Sequence, residues 1–302
     1  MSSPDLASAR GLADLPSDWL APEVLRAWDD FLQIADTLDL DAPTRLPGWR
    51  VHDVLVHLGH WDDHRPIDDL IATAGASTTA RELDPDRLNA ALVTAHSTTS
   101  RDEVLASLQR ARARAASYFN DGTHEHIGRR YASSVLGQLP VGGVVHAACY
   151  ELAVHALDIA PRETTPHLLD RGLASLADVT GALAARHGID ISVSCTTPEG
   201  GWSFVARSGG WRTQELTDSS SAEAGIEGRP ETILDASAGR QNPVTLLVSR
   251  KLLVHKLPTL LRLAPIVDQV PGIPGGPALK ATARHLAGAG RLLGRLPGLR
   301  RG

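Results

Sequence analysis

Three side chains in two distant segments have the types and spacing that suit a metal ion. Glu151 and His155, in YELAVHALD, are four residues apart, so in a helix they lie on one face. His57, in VHDVLVHLGH, lies at the edge of an apolar helical stripe and can face the interior of a helical domain. Two imidazoles and one carboxylate, with positions left for water or substrate, form the ligand set of a catalytic zinc site, although other borderline divalent ions also fit.

Each of these residues, taken alone, also has a purely structural explanation. A single histidine on an apolar face is more often a hydrogen-bonded core residue than a ligand, and a Glu–His pair at this spacing is common by chance. The apolar residues around Glu151 and His155 predict that the pair is buried, however, and an unpaired buried charge costs several kcal/mol. A metal ion shared with His57 would satisfy all three side chains.

Two further polar residues lie near His57 on the same predicted helical segment. Asp53 and His64 share its approximate direction around the helix axis. Either is suited to orient a metal ligand through a hydrogen bond or to transfer a proton. A solvated helix face explains both residues as well and is the commoner case.

The elements that must position these residues are predicted helices in the first half of the chain. Apolar residues recur at helical spacing in four segments, over residues 24–38, 51–74, 84–118 and 142–160. Pro66 is predicted to kink or interrupt the second segment, and Ser97–Ser100 to break the third. Helices joined by loops in this order predict an up-and-down four-helix bundle with its apolar stripes turned inward.

The second half of the chain predicts a smaller α+β domain. A helix over about 167–187 is followed by the short β runs ISVSCTT and WSFVARS, which PEGG joins as a hairpin. Next come a strand and turn in AGIEGRP, a helix in ETILDASAGR, and a helix, a short strand and a helix in VTLLVSRKLLVHKLPTLLRLAP. We therefore predict the fold class α plus α+β, with a helical domain over 1–163 and an α+β domain over 164–270.

Residues 271–302 form a separate basic segment in this interpretation. It contains six Lys and Arg residues and no acid, interleaved with leucines, which suits an amphipathic helix against a membrane or a partner. A packed C-terminal helix with a frayed end explains the pattern equally simply. Glycines at 288, 290 and 294 weaken any helix there and favour the second explanation.

Composition excludes several classes of protein. The net charge of -5 and the pI near 6.2 give no electrostatic case for nucleic acid. Two cysteines are too few for a disulfide framework, and the N-terminal residues lack the pattern of a secretory signal. No apolar run approaches the roughly 20 residues that span a bilayer. We expect a cytoplasmic protein, either a monomer or a homodimer.

Two motifs resemble those of a known family. LPGWRVHDVLVHL resembles the L-P-G-W-x-V-x-D-hydrophobic-x-x-H-L signature of the DinB-like, mycothiol-dependent maleylpyruvate isomerase family, and YELAVHALDIA resembles its second signature. The resemblance implies a four-helix bundle that holds a divalent metal, usually zinc, through His57, Glu151 and His155. It also implies mycothiol as the thiol cosubstrate.

The C-terminal half resembles, more loosely, the sterol-carrier-protein-2-like module that often follows this bundle. The matching stretch is TILDASAGRQNPVTLLVSRKLLVHKLPTLLRL, in which LVHKLP stands where relatives have a strand and Gly-Asp. The resemblance implies an arginine that contributes to substrate binding, and Arg240, after Gly239, is the matching position. A surface arginine after a helix is the alternative explanation.

The activity that the resemblance implies is isomerisation or S-transfer on a small unsaturated or electrophilic acid. A metal ion can hold a bound thiol as thiolate near neutral pH. Cys149 is about 200° around the helix from Glu151, and Cys195 lies in a predicted strand, so the sulfur would come from mycothiol. The Ala-, Arg- and Leu-rich composition agrees with an actinobacterial, high-GC source. The alternative is a non-catalytic small-molecule or lipid-binding protein with a structural or vestigial metal site.

Overall fold

The computed structural model describes residues 6–76, 85–217 and 222–267. The basic segment over 271–302 lies outside the described residues, so its predicted role stays a prediction. No helix within the described ranges combines the length and the apolar character that crossing a bilayer requires.

The first part of the chain is mainly helical. Its elements are α1 (Ser17–Ala35), α2 (Val51–Leu58), α3 (Pro66–Thr73), α4 (Pro85–Ala95), α5 (Arg101–Asn120), α6 (Thr123–Ile127), the strands β1 (Tyr131–Ser134) and β2 (Gly137–Pro140), and α7 (Val141–Ile159). Two short 3-10 turns, Leu6–Ser8 and Gly11–Asp14, precede them. Helices α1 and α2 each pack against α5 and α7, so α7 and α2 are neighbours.

The amphipathic pattern of α1 shows why this packing forms. Several of its buried apolar residues are spaced by three, four or seven positions, so they lie on one face of the helix: Leu20, Val24, Phe31 and Ile34. Each such side chain contributes roughly 1.5–3 kcal/mol when it leaves water. The buried stripe therefore fixes which face of α1 meets α5 and α7.

The second predicted helix is interrupted before Pro66, over residues 59–65. Helix α2 ends at Leu58, and Gly59 begins the turn that leads to α3. A Cβ on Gly59 would come within 2.3 Å of Oγ of Ser107, so the close approach of α5 explains the glycine. Pro66 starts α3 at its first turn, where the missing N–H costs nothing, so the predicted interruption at Pro66 is confirmed. The predicted break between α4 and α5 is confirmed, with Ser100 as the N-cap.

The second part of the chain contains a mixed sheet. Its elements are α8 (Pro166–Arg186), β3 (Ile191–Thr197), β4 (Gly200–Arg207), β5 (Gly210–Glu215), β6 (Ala224–Gly228), α9 (Pro230–Ser237), α10 (Pro243–Val248), β7 (Leu252–His255), α11 (Leu257–Leu260) and α12 (Ala264–Val267), with a 3-10 turn at Leu261–Leu263. The strand order is β5-β4-β3-β6-β7, antiparallel except for the parallel pair β3–β6. The predicted hairpin of β3 and β4 is confirmed.

Helix α8 connects the two parts through a shared core. It packs against α7 and against β4 and β5. Ala177 and Leu173 of α8 are buried, as are Trp202 and Phe204 of β4. The N-terminal turns also reach the sheet, because Trp211 of β5 donates its backbone N–H to the carbonyl of Ala9. The architecture is thus a helical N-terminal region followed by a C-terminal sheet domain.

Candidate metal centre

The three predicted ligands come together where α2 passes α7. Nε2 of His57 is 3.9 Å from Oε2 of Glu151, and Nε2 of His155 is 3.6 Å from the same oxygen. One ligand atom from each of the three residues lies within 4.8 Å of the other two. A tetrahedral ion with ligands at 2.0–2.1 Å places its donor atoms about 3.4 Å apart. The donor set and its spacing therefore fit a divalent cation after small side-chain movements.

The orientation of His155 is set by a neighbour on its own helix. Asp158 lies one turn further along α7, and its Oδ2 is 3.1 Å from Nδ1 of His155. An ionised carboxylate only accepts hydrogen bonds, so this contact requires a hydrogen on Nδ1, and in the neutral ring Nε2 is then the nitrogen that carries the lone pair. That lone pair is on the side of the ring that faces Glu151. An outer carboxylate of this kind is a common partner of metal-binding histidines.

Glu151 differs from its predicted setting, because its side chain is 52% exposed. The expectation of a buried carboxylate was wrong: the carboxylate lies at the rim and keeps part of its hydration, while the side chains of His57 and His155 are only 17% and 8% exposed. The site consequently opens to solvent on the side of Glu151. Burial of a charge does not by itself require a metal ion there. A metal site is indicated instead by the convergence of the three donors.

The charges within the cluster are coupled. Desolvation opposes ionisation of Glu151, but the imidazoles of His155 and His57 outweigh it and lower the pKa of that carboxyl. Burial also opposes protonation of His155, yet Asp158 and Glu151 raise the pKa of its imidazole. The site thus stabilises positive charge beside Glu151. A divalent cation would supply that charge in place of a proton.

His57 is held by packing. Its ring packs edge-to-face against the Trp49 indole, with 5.8 Å between the ring centroids. It packs in the same way against the ring of His155, with 5.2 Å between the centroids. Its Nδ1 is buried and has no hydrogen-bond partner among the described residues. Trp49, which precedes α2, therefore contacts a candidate ligand.

The structure places Asp53, His64 and Arg240 differently with respect to this cluster. The carboxylate of Asp53 accepts the backbone N–H of Arg50 at 2.9 Å, which caps the first turn of α2 at the opposite end from His57. His64 is close enough to His57 for their charges to interact, and burial, followed by that repulsion, lowers its pKa. Arg240 reaches the cluster indirectly, through Asp158.

Neither cysteine is available as a nucleophile at this site. Cys149 and Cys195 are both buried, and desolvation raises the pKa of each thiol to about 12. A thiolate is the reactive form of sulfur, and these environments disfavour it strongly. A sulfur nucleophile at the site would therefore come from a separate molecule.

Two open clefts lie elsewhere on the helical region. One of about 410 Å³ is lined by residues that include Arg50, His52 and Arg101, and one of about 550 Å³ by residues that include Trp61 and Arg110. None of the three candidate ligands lines either cleft. The chemistry of the donor cluster, rather than the size of a cavity, identifies the candidate site.

Asp158 is a residue of the site that was not predicted from the sequence. The signal was present, because Asp158 follows Glu151 by seven residues and His155 by three, which places all three on one stripe of α7. A carboxylate at that spacing from a candidate histidine ligand is a natural partner for its second nitrogen.

The segment that carries the three candidate ligands matches a known domain. The sequence profile of the family described as the mycothiol maleylpyruvate isomerase N-terminal domain matches residues 21–160, a segment that contains all three candidate ligands. The crystal structure of the mycothiol-dependent maleylpyruvate isomerase has a TM-score of 0.51 and 16% identity, and the match covers 76% of this chain and 92% of that chain. A histidine-to-alanine mutant of that enzyme matches over the same shares, with a TM-score of 0.51 and 15% identity.

These matches differ in what they show. At such identities the two crystal structures are evidence for a common fold alone. A search of curated proteins finds no match. The sterol-carrier-protein-2-like interpretation of the C-terminal half is not addressed by either kind of match. For the N-terminal region, the sequence profile and the common fold support the mycothiol-dependent maleylpyruvate isomerase family as the one that this chain resembles.

Proposed function

We propose that this protein is a metal- and mycothiol-dependent isomerase or S-transferase that acts on a small unsaturated or electrophilic acid. The observation that carries the proposal is the convergence of His57, from α2, with Glu151 and His155, from α7. The likeness to the maleylpyruvate isomerase family points to the same kind of chemistry. The proposal includes zinc as the metal, because two imidazoles and a carboxylate with open positions form a common catalytic zinc site.

The residues around the cluster support an open, reactive centre. Glu151 and the two histidines would hold the cation, and the exposed side of Glu151 leaves room for further ligands. A divalent ion bound there would lower the pKa of a thiol and favour its thiolate near neutral pH. Asp158 keeps Nε2 of His155 available as a donor by accepting the hydrogen of Nδ1.

The thiol must come from a cosubstrate, since Cys149 and Cys195 are buried with raised pKa values. For a cis-enone acid, the thiolate adds to the carbon–carbon double bond and the carbonyl takes up the electron pair. Rotation about the new single bond and loss of the thiolate then give the trans isomer, with no net oxidation or reduction. For an electrophilic substrate with a leaving group, the thiolate displaces that group, which departs with its electron pair. The substrate carbon then stays bonded to the sulfur as a thioether.

Several finer assignments belong to this proposal. Arg240 would contribute to binding the substrate carboxylate, and His64 would support a ligand or transfer a proton. Asp53, whose carboxylate caps the first turn of α2, would support the cluster only through the position of that helix. The helical region would be a DinB-like four-helix bundle over 1–163, and the sheet domain a sterol-carrier-protein-2-like module over 164–270. A cytoplasmic location and an actinobacterial source follow from mycothiol as cosubstrate.

The first experiment is the metal content of purified protein, measured by elemental mass spectrometry. We expect about one zinc or similar ion per chain in the wild type, as a three-ligand site implies. His57→Ala and Glu151→Gln should lose it. His60→Ala is the matched control, because His60 follows α2 closely but lies outside the donor cluster, and it should retain the ion.

Activity is the second readout. Metal-loaded wild type should isomerise a cis-enone acid, or form a thioether, only when mycothiol or a comparable low-molecular-weight thiol is added. Protein that neither contains nor accepts a divalent ion would contradict the proposal. It would favour the non-catalytic alternative.

A further inference from the structure

We infer that Asp158 is a positioning residue for the candidate ligand His155 and that Arg240 of the sheet domain holds Asp158 in place. The metal centre on the helical region would then be complete only with the sheet domain docked against it. This inference rests on the proposed metal centre. It adds two residues and a cross-domain contact to that centre.

The side chain of Asp158 is fully buried, and its two oxygens are used by different partners. Oδ2 accepts from Nδ1 of His155 at 3.1 Å. Arg240 donates to both oxygens, from Nε to Oδ1 at 2.9 Å and from Nη2 to Oδ2 at 2.8 Å. A fork of this kind fixes the plane of a carboxylate as well as its position. With the carboxylate plane fixed, the ring of His155 has one preferred orientation and one preferred tautomer.

Arg240 is itself held by the turn that follows α9. Its backbone N–H donates to the carbonyl of Asp235 at 2.8 Å, and Nη1 donates to the carbonyl of Ala238 at 3.1 Å. Gly239, between Ala238 and Arg240, has a φ of 70°, a left-handed conformation that glycine adopts without strain. The side chain of Arg240 is 11% exposed, and Nε, Nη1 and Nη2 of its guanidinium each donate a hydrogen bond. These contacts describe a residue built to orient Asp158, in addition to any contact with substrate.

The contact with the sheet domain has an energetic reason. Without Arg240, Asp158 would be a buried carboxylate whose remaining side-chain partner is a single imidazole. Breaking a buried ion pair by removing one partner is strongly destabilising, so the carboxylate would move toward other donors or solvent. That movement releases the hydrogen bond that selects the tautomer of His155. The geometry of a ligand on α7 thus depends on a residue 82 positions away from Asp158.

A second ion pair between the same two parts of the chain provides a matched control. Arg45, in the loop before α2, donates from Nη2 to Oδ1 of Asp235 at 2.6 Å. Asp235 is buried, like Asp158, and belongs to α9, close to Arg240. None of the contacts of its side chain involves a candidate metal ligand. Asp235→Asn therefore weakens the domain contact without touching His155.

The test measures zinc affinity by competition with a chromophoric chelator in wild type, Asp158→Asn, Arg240→Gln, Arg240→Lys and Asp235→Asn. Loss of an outer partner of a metal-bound histidine typically costs 10–100-fold in affinity, and we expect a loss in that range for Asp158→Asn and Arg240→Gln. Arg240→Lys should recover part of it, since a lysine keeps the charge but not the fork. Asp235→Asn should stay within about twofold of wild type.

A metal-free readout separates this inference from the proposed function. Nitrogen-15 NMR of the histidine rings in metal-free protein, recorded at a pH where His155 is neutral, should show its hydrogen on Nδ1 in wild type and Asp235→Asn. It should show a changed tautomer or exchange broadening in Asp158→Asn. This result is obtainable even if the protein binds no zinc, in which case only the proposed function fails.

Two outcomes would overturn the inference. One is an Asp158→Asn variant that is folded by circular dichroism and keeps both its zinc affinity and the tautomer of His155. The other is an equal loss of affinity in Asp235→Asn and Asp158→Asn, which would attribute the effect to weaker domain contact in general. If Asp158→Asn fails to fold, the zinc affinity of Arg240→Lys is compared with that of wild type instead. An unchanged affinity in Arg240→Lys and in Arg240→Gln would then overturn the inference.

Discussion

Asp178, on α8, is a buried carboxylate that should make the stability of this protein depend on pH. It is 1% exposed. Its Oδ1 accepts from the backbone N–H of Leu12 at 2.9 Å, from Nε1 of Trp211 at 2.9 Å and from Oγ1 of Thr213 at 2.6 Å. Burial nevertheless raises its pKa from 3.8 to about 6, because the three donors only partly replace water. This side chain joins the N-terminal turns, α8 and β5.

The direction of the effect follows from linkage. A carboxyl group whose pKa is raised in the folded state holds its proton at pH values where the unfolded chain has lost it. The contribution of Asp178 to the stability of the fold is therefore fully present below pH 3.8, and it is lost as the pH rises through about 6. The difference between the two pKa values corresponds to about 3 kcal/mol of unfolding free energy.

The perturbation is Asp178→Asn, which keeps an acceptor oxygen and removes the ionisation. Unfolding in urea should be followed by circular dichroism at several pH values between 4 and 8, with a chelator present so that metal binding does not contribute. Between pH 4 and 7.5, wild type should lose about 2 kcal/mol more stability than the variant, because a small part of the loss has already occurred at pH 4. Asp190→Asn, which removes an exposed carboxylate near the sheet, is the control and should retain the wild-type profile.

The opposite sign would refute this reasoning. If the three donors stabilised the carboxylate more than burial destabilises it, wild type would lose stability as the pH falls below 4. Asp178→Asn would then abolish that acid-induced loss and would be the less stable protein at neutral pH. The slope of the difference between the two proteins distinguishes these cases, whatever the substitution costs in packing.

Three further predictions concern reactivity and stability. Cys149 and Cys195 should react with a thiol reagent at pH 8 only as fast as local unfolding exposes them, because both are buried and burial raises their pKa values to about 12. Rapid labelling of the native protein would contradict their placement. Gly59→Ala should destabilise the protein by about 1–3 kcal/mol in urea unfolding, since the new Cβ would lie 2.3 Å from Oγ of Ser107, and an unchanged midpoint would argue against that close approach. Ser100→Ala should cost about 1 kcal/mol through loss of the α5 N-cap, measured in the same way, and a neutral result would show that this cap is not formed in solution.

The parts of the fold that local pattern determines could be predicted from the sequence. The apolar period of α7 predicted that helix to within one residue at each end, and PEGG predicted the hairpin of β3 and β4. The period of α1 predicted a helix there, but α1 begins well before the predicted segment, at Ser17. Strand β5 was not predicted, because GWRTQE lacks the β-branched run of a typical strand. It forms because Trp211 and Thr213 point into the core beside β4 and α8, a tertiary contact that a local pattern does not contain.

The same distinction applies to the site. Helical spacing predicted that Glu151 and His155 share a face and that His57 faces inward, and the structure brings the three together. The role of Arg240 was less accessible, because its contact with Asp158 joins residues 82 positions apart and depends on how the sheet domain docks. A motif can mark an arginine as a site residue without indicating which side chain it touches.

The acids on α7 show why such docking matters for chemistry. Glu151, His155 and Asp158 occupy one helical stripe, so their sequence spacing treats both carboxylates alike. In the fold, the sheet domain covers the C-terminal end of the stripe, where Asp158 is buried against Arg240. It leaves Glu151 at the rim, half exposed beside two imidazoles. Two acids of similar intrinsic acidity thereby take different parts: Asp158 orients a ligand from within, while Glu151 lies where a cation and its further ligands can enter.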